Sequence, residues 1–151
     1  MQNIIITGSS HGIGRALAKK LSKKYHIINI DIVENKMDKV DFYKCDLSDK
    51  SKLLKTIEKI KTNIDSLYAL INNAALFSSK SLEKQTLDEW ENIISINLTA
   101  PYILCKEFAP MLKQSKGHII NISSTRASMS EAGTEAYSSS KGGISSLTHA
   151  L

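Results

Sequence analysis

The segment Thr7-Gly8-Ser9-Ser10-His11-Gly12-Ile13-Gly14 constrains this chain more than any other. Before it stands Ile4-Ile5-Ile6, a short apolar run that reads as a buried strand. After it, Arg15 to Leu21 reads as a helix with an apolar stripe at Ile13, Leu17 and Leu21. A strand that turns sharply into a helix through three glycines uses φ values that glycine adopts cheaply. It also leaves bare backbone at a helix start, where the first N–H groups and the positive end of the helix dipole attract an anion such as a diphosphate. With glycines at 8, 12 and 14 the spacing is T-G-x-x-x-G-x-G rather than G-x-G-x-x-G, so its meaning depends on partners downstream.

Downstream, strands and helices alternate. His26-Ile27-Ile28-Asn29-Ile30 is a second strand ending in Asp31, and Lys39 to Cys45 is a third. Ser48-Asp49-Lys50-Ser51 opens a helix to about Lys61, with apolar positions at Leu53, Leu54, Ile57 and Ile60. Ser66 to Ile71 is a fourth strand, mostly apolar, as a strand covered on both faces is. Thr86-Leu87-Asp88-Glu89 is a capping box that starts a long helix to about Gln114, which Pro101 and Pro110 are expected to bend or interrupt. Gly117 closes that element, His118 to Ile122 is a fifth strand, and a last helix begins near Glu135 after a small, polar loop. Five such alternations imply one α/β domain over 1–151, with a parallel sheet, right-handed crossovers and helices on both faces.

Composition narrows the partners. The chain is 42% hydrophobic and 23% charged, ordinary for a globular domain, and no apolar run approaches a membrane span. The first strand reads as beginning at the N-terminus, so no signal peptide is expected. The net charge is +5, but its lysines scatter over helix surfaces without aromatic interleaving, which reads as a solvated surface rather than a nucleic-acid face. Cys45 and Cys105 have no metal-ligand spacing, so no metal is expected; reduced core thiols fit a cytoplasmic protein.

Several polar residues fall where strands end. Asp31 follows Gly8 by 23 positions, where a dinucleotide-binding unit places an acid to accept hydrogen bonds from the adenosine ribose. A carboxylate there repels a 2′-phosphate and so favours NAD over NADP. Asp46 also sits at a strand's carboxyl end, with helix capping as its alternative role. Asn72-Asn73-Ala74-Ala75 follows the fourth strand; its amides can tie strand ends together and its small residues leave room for a ligand. Asn97 sits mid-helix in an apolar stretch, where an amide is unfavourable without a specific partner. Tyr137 and Lys141 lie four apart and share one helix face. A free tyrosine, with a pKa near ~10, is a poor base at neutral pH; an adjacent ammonium stabilises the phenolate and tunes it for proton transfer. Ser124, at the end of the fifth strand, is placed to hydrogen-bond a reacting carbonyl.

Taken in order, T-G-S-S-H-G-I-G, N-N-A-A, Asn97, Ser123-Ser124 and Y-S-S-S-K resemble the classical short-chain dehydrogenase/reductase family over the whole chain. The resemblance implies a Rossmann-type doubly wound sheet and an oxidoreductase that transfers hydride between a nicotinamide and an alcohol or carbonyl carbon. It makes Tyr137 the acid/base and gives Lys141 the nicotinamide ribose as well as the phenolate. Ser124, thirteen positions before Tyr137, orients the substrate where Ser123 does not, and Asn97 holds a proton-relay water. Thr7, Gly8, Ser10, His11, Gly12, Ile13 and Gly14 form the cofactor turn, Asp46 and Leu47 flank the adenine, and Asn73, Ala74 and Ala75 flank the adenosine ribose. Ala75 stands where the family usually has glycine. His11 occupies a site where NADP-preferring members often carry a basic residue, and a mostly neutral histidine leaves Asp31 in control.

Family members also continue beyond the tyrosine helix into a sixth strand, a substrate lid and a final strand. The sequence therefore reads as the N-terminal part of a longer enzyme, with at least five strands present, the C-terminal strands missing, and the fragment alone inactive. Full length, the resemblance implies a homodimer or homotetramer. The competing expectation is a truncated, non-catalytic dinucleotide-binding or interaction protein. Which substrate is used cannot be read, because the lid that selects it lies past residue 151.

Overall fold

A computed structural model describes residues 1–34 and 36–151. Five strands, β1 (Asn3–Thr7), β2 (His26–Asp31), β3 (Val40–Lys44), β4 (Ala69–Asn72) and β5 (His118–Asn121), form one parallel sheet in the order β3-β2-β1-β4-β5. The order reverses at β1, so the crevice at its carboxyl end is the topological switch point where open α/β sheets bind ligands. Helices α1 (Gly12–Leu21), α2 (Lys50–Asn63), α3 (Leu87–Ile94), α4 (Ala100–Ser115) and α5 (Glu135–Ala150) complete the alternation.

The apolar run in β1 is explained by its two faces. Ile5 packs with Ile28, Leu70, Leu53 and Ile57 of α2, and Leu104 and Phe108 of α4. Ile4 and Ile6 point the other way and pack with Ile27, Ile71 and Ala18 of α1. Successive side chains alternate between two cores, so no position is left for a polar residue. Tyr68 donates its N–H to Asn3 just before β4, so the run from Ser66 enters the sheet as a strand three residues later than its composition suggests.

Five sequence expectations change. Ile13 is 66% exposed and belongs to no apolar stripe; as the second residue of α1 it faces the cavity described below. Leu54 lies on the outer face of α2. The helix opening at Thr86 keeps its capping box but is not one α-helix: after α3 it widens into a π turn over Ser95–Thr99 before α4. Pro101 accounts for the place of the change, since it has no N–H to give to the Asn97 carbonyl four residues back. At Pro110, by contrast, α4 runs on without interruption. It is Lys116, with φ 52°, that takes the left-handed position closing α4. Gly117 serves close packing instead, because a Cβ there would lie 2.6 Å from the Tyr68 carbonyl oxygen. No strand covers the outer edge of β5 among the described residues, and Ile120 is half-exposed. None of the described helices is long and apolar enough to cross a membrane.

Candidate active site

The carboxyl ends of all five strands meet along one edge, and each carries sequence-predicted site residues. At β1 the chain turns through Gly8 (φ 67°) and Gly12 (φ 51°), both left-handed. Gly14 is needed for closeness: a Cβ there would stand 2.4 Å from the Gly8 carbonyl oxygen and 2.5 Å from Asn73 Nδ2. The start of α1 is left bare. His11 occupies the cap position without a side-chain cap hydrogen bond, and no acid lies in the first turn. Its N–H groups and dipole are thus uncompensated by protein, as an anion site requires.

Around this turn polar side chains hold the backbone. Thr7 Oγ1 accepts hydrogen bonds from Asn73 N and Ala74 N, both at 3.0 Å. Asn73 Nδ2 returns to the carbonyls of Thr7 (2.9 Å) and Gly8 (3.1 Å), so its amide ties the β4 exit to the glycine turn. Asp31, 8% exposed, accepts from Ser10 N at 3.0 Å and Ile32 N at 2.7 Å. Asn29, buried in β2, accepts from Ser9 N at 3.1 Å and donates to Ser10 Oγ at 3.0 Å. Asn29 escaped the sequence reading, although an amide inside Ile27-Ile28-Asn29-Ile30 was a legible signal. At β3, Asp46 accepts from the backbone and hydroxyl of Ser48 in a local turn, while Asp49 caps α2.

These pieces surround a cavity of about 730 Å³. Gly8, Gly12, Ile13, Asp31, Asp46 and Ala74 line it together with His11, Leu47, Asn73 and Ala75, and Leu76, Asn92 and Ile96 complete the wall. Beside Gly12 a Cβ would meet no atom within 4 Å, so the turn has open space for a ligand. Cys45 also reaches the lining; like Cys105 it is a free, buried thiol whose pKa burial pushes up, which keeps both protonated.

Tyr137, Lys141 and Ser124 lie outside that lining, further along the edge past β4 and β5. Helix α5 sets Tyr137 and Lys141 one turn apart, with Lys141 Nζ 5.7 Å from the centre of the Tyr137 ring. Lys141 is 3% exposed and its Nζ donates to the Ile122 carbonyl at 2.7 Å; burial holds its pKa below the ordinary lysine value. No carboxylate among the described residues pairs with it. Ser124 opens a short 3₁₀ turn over Thr125–Ala127, and its Oγ accepts from Arg126 N at 3.2 Å. Ser123 turns the other way, its Oγ bonding the Lys141 carbonyl (3.3 Å) and Ser145 Oγ (3.0 Å) of α5.

Asn97, 1% exposed in the π turn, has its amide fully engaged by protein. Oδ1 accepts from Leu76 N at 2.7 Å, and Nδ2 donates to the Leu76 carbonyl (2.9 Å) and Ser140 Oγ (3.0 Å). Ser140 Oγ in turn donates to the Tyr137 carbonyl at 2.7 Å. A buried mid-helix amide is thus accounted for by contacts that link the β4 exit to the tyrosine helix. Neither Ser140 nor Phe77, whose ring lies against Tyr137, announces itself in the sequence.

Comparison with known proteins agrees with this arrangement. The family model described as short chain dehydrogenase matches residues 2–151. An uncharacterized oxidoreductase of Thermotoga maritima is 40% identical over 161 aligned positions, which cover 97% of this chain and 62% of that protein. A 3beta-hydroxysteroid dehydrogenase of Mediterraneibacter gnavus is 29% identical over 98% of this chain and 58% of that protein. This chain thus spans about three fifths of the curated relatives' length. Among solved structures, an apo SCOR enzyme from Clostridium thermocellum superposes with a TM-score of 0.92 at 35% identity, covering 99% of this chain and 65% of that one. A 4-hydroxyisoleucine dehydrogenase complexed with NADH gives 0.92 at 31% identity, covering 98% and 66%. A metagenomic short-chain oxidoreductase in complex with NADP gives 0.89 at 30% identity, covering 99% and 73%.

Proposed function

Because the chain belongs to the short-chain dehydrogenase family, we propose that the whole protein transfers hydride between a nicotinamide cofactor and the carbon of an alcohol or carbonyl substrate, with Tyr137 moving the proton. The observation that carries this reading is the buried Lys141 ammonium beside the Tyr137 ring, on the same sheet edge as a bare helix start. The bound nicotinamide supplies or accepts the hydride. Tyr137 gives a proton to the substrate oxygen in reduction and takes one in oxidation. The Lys141 ammonium stabilises negative charge on the phenol oxygen and keeps donors for a ribose hydroxyl. Ser124 donates its hydroxyl proton to the substrate oxygen; among the described residues none accepts that proton.

The cavity fits the rest of the cofactor. Its glycine turn and the start of α1 hold the diphosphate. Asp31 accepts from the adenosine ribose hydroxyls and favours NAD over NADP, since its carboxylate repels a 2′-phosphate; the similar solved structures carry NADH in one case and NADP in another. Asp46 and Leu47 flank the adenine, and Ala74 and Ala75 the ribose. The set Ser124, Tyr137 and Lys141 favours an enzyme over a non-catalytic binding protein, with the Asn97 amide fixing the backbone beside them. Tyr137→Phe in the whole polypeptide tests this: turnover of a carbonyl substrate with NADH falls at least ~10²-fold while NADH binding, read by fluorescence, is kept. Retained turnover removes Tyr137 from the role.

A further inference from the structure

We propose that Phe77 is a positioning residue for Tyr137, holding the phenol ring against the Lys141 side so that its oxygen meets the substrate in one orientation. The inference rests on the reading of Tyr137 as the acid/base group. Phe77 is 57% exposed, so burial alone gives its ring little reason to stay in place. Its ring centre nevertheless lies 5.0 Å from that of Tyr137 at an interplanar angle of 83°, the edge-to-face geometry aromatic pairs favour.

The backbone beneath both rings is fixed by one amide. Asn97 clamps Leu76, the residue before Phe77, by its N–H and its carbonyl. Through Ser140 the same amide reaches the Tyr137 carbonyl. Lys80 N donates to the Gly133 carbonyl at 2.9 Å, pinning the far end of the Phe77 segment to the loop before α5. Tyr137 thus has Phe77 and the Lys141 ammonium both within contact range of its ring, with neither mounted on a free loop.

The test uses the whole polypeptide with NADH and two carbonyl probes, 2,3-butanedione and benzaldehyde. Phe77→Ala and Phe77→Leu lower kcat roughly three- to tenfold, the rate equivalent of one aromatic pair, with the KM for NADH unchanged. Phe77→Tyr keeps the wild-type kcat, and its contrast with Phe77→Leu, an apolar side chain without a ring, separates ring contact from space filling. In parallel, side-chain-labelled tyrosine is followed by NMR, the Tyr137 signal being the one absent from Tyr137→Phe. Its side chain keeps a single χ1 rotamer in the wild type and in Phe77→Tyr and averages over rotamers in Phe77→Ala; this measurement decides the matter if neither probe is turned over. Phe77→Leu equal to Phe77→Tyr in kcat, or a single Tyr137 rotamer kept in Phe77→Ala, overturns the proposal. A Tyr137→Phe enzyme that still turns over either probe sinks the acid/base reading instead, and the rotamer measurement separates the two failures.

Discussion

The cavity side and the tyrosine side of this sheet edge handle polar groups in opposite ways. Around the glycine turn, Thr7, Asn29, Asp31 and Asn73 direct their polar atoms at protein backbone or neighbouring side chains. At the tyrosine side, Lys141 Nζ has three protons and one described protein acceptor, the Ile122 carbonyl. No described residue accepts the Ser124 proton or hydrogen-bonds the Tyr137 hydroxyl. The difference teaches that the side chains of the first half hold the shape of the turn and leave mainly backbone N–H groups at the start of α1 for a ligand, whereas the second half presents side-chain groups whose remaining bonds belong to a ligand. Substitutions should therefore separate into those that damage shape and those that damage chemistry.

The largest effect falls on the chemical side. Tyr137→Phe removes one oxygen that no described protein group holds, so folding and the cavity stay intact while turnover falls at least ~10²-fold. Loss of the fold together with activity would mean that the hydroxyl is part of the frame after all. Next in size, on the frame side, comes Gly14→Ala. A Cβ placed 2.4 Å from the Gly8 carbonyl oxygen cannot be accommodated without moving the turn or Asn73. We expect a loss of about 3 kcal/mol in urea unfolding, at the upper end for overpacking, with cofactor binding impaired in proportion. Full stability would show that the turn is softer than its hydrogen bonds imply.

Asp31→Ala tests a residue that belongs to both halves of the contrast. Its carboxylate both holds Ser10 N and Ile32 N and lines the cavity. Removing it should shift preference towards NADP(H) about tenfold, equivalent to about 1.4 kcal/mol of relieved repulsion. It should also cost about 1–3 kcal/mol of stability through donors left without an acceptor. Clearly tighter NADPH binding by the unsubstituted protein would transfer control of cofactor choice to His11 and Arg15.

How much of this was legible in the sequence follows the same division. Chain-local features read correctly: the strand–turn–helix at Gly8, the capping box at Thr86, and the shared face of Tyr137 and Lys141 all depend on neighbours within a few residues. The parallel sheet follows from alternation and handedness, but its order β3-β2-β1-β4-β5 does not, because other doubly wound orders share both features. What stayed hidden depends on distant pairing. Asn97 meets Leu76 across 21 positions and Ser140 across 43, and spacing alone cannot single out such partners. The π turn was missed because its cause, Pro101, reads equally as a bend or a break. Ile13 was misassigned because the periodic pattern does not know that the first turn of α1 faces a cavity instead of a core.

The smallest expected effect concerns Lys141 and pH. Burial lowers its pKa in the folded state, so the unfolded chain binds that proton more tightly. Folding then carries a penalty that is fully present below the folded-state pKa. The penalty is relieved as pH rises from there towards the unfolded value near ~10.5. Stability attributable to this residue therefore increases with pH in that window, opposite in sign to Lys52, whose pKa Asp49 raises, and to Lys61, where burial lowers the pKa but Glu107 and Glu58 together raise it further. A direct titration of stability mixes all of these. Comparing Lys141 with Lys141→Met in a Tyr137→Phe background removes the coupled phenol and cancels the groups remote from the lysine. Urea unfolding of both proteins at pH 7 and at about pH 10.5, the unfolded value, should show the protein with Lys141 gaining on the Met variant at the higher pH. A constant difference would mean that an acceptor supplied in the whole protein already compensates the buried ammonium, which would place Lys141 with the frame rather than with the groups left open for a ligand.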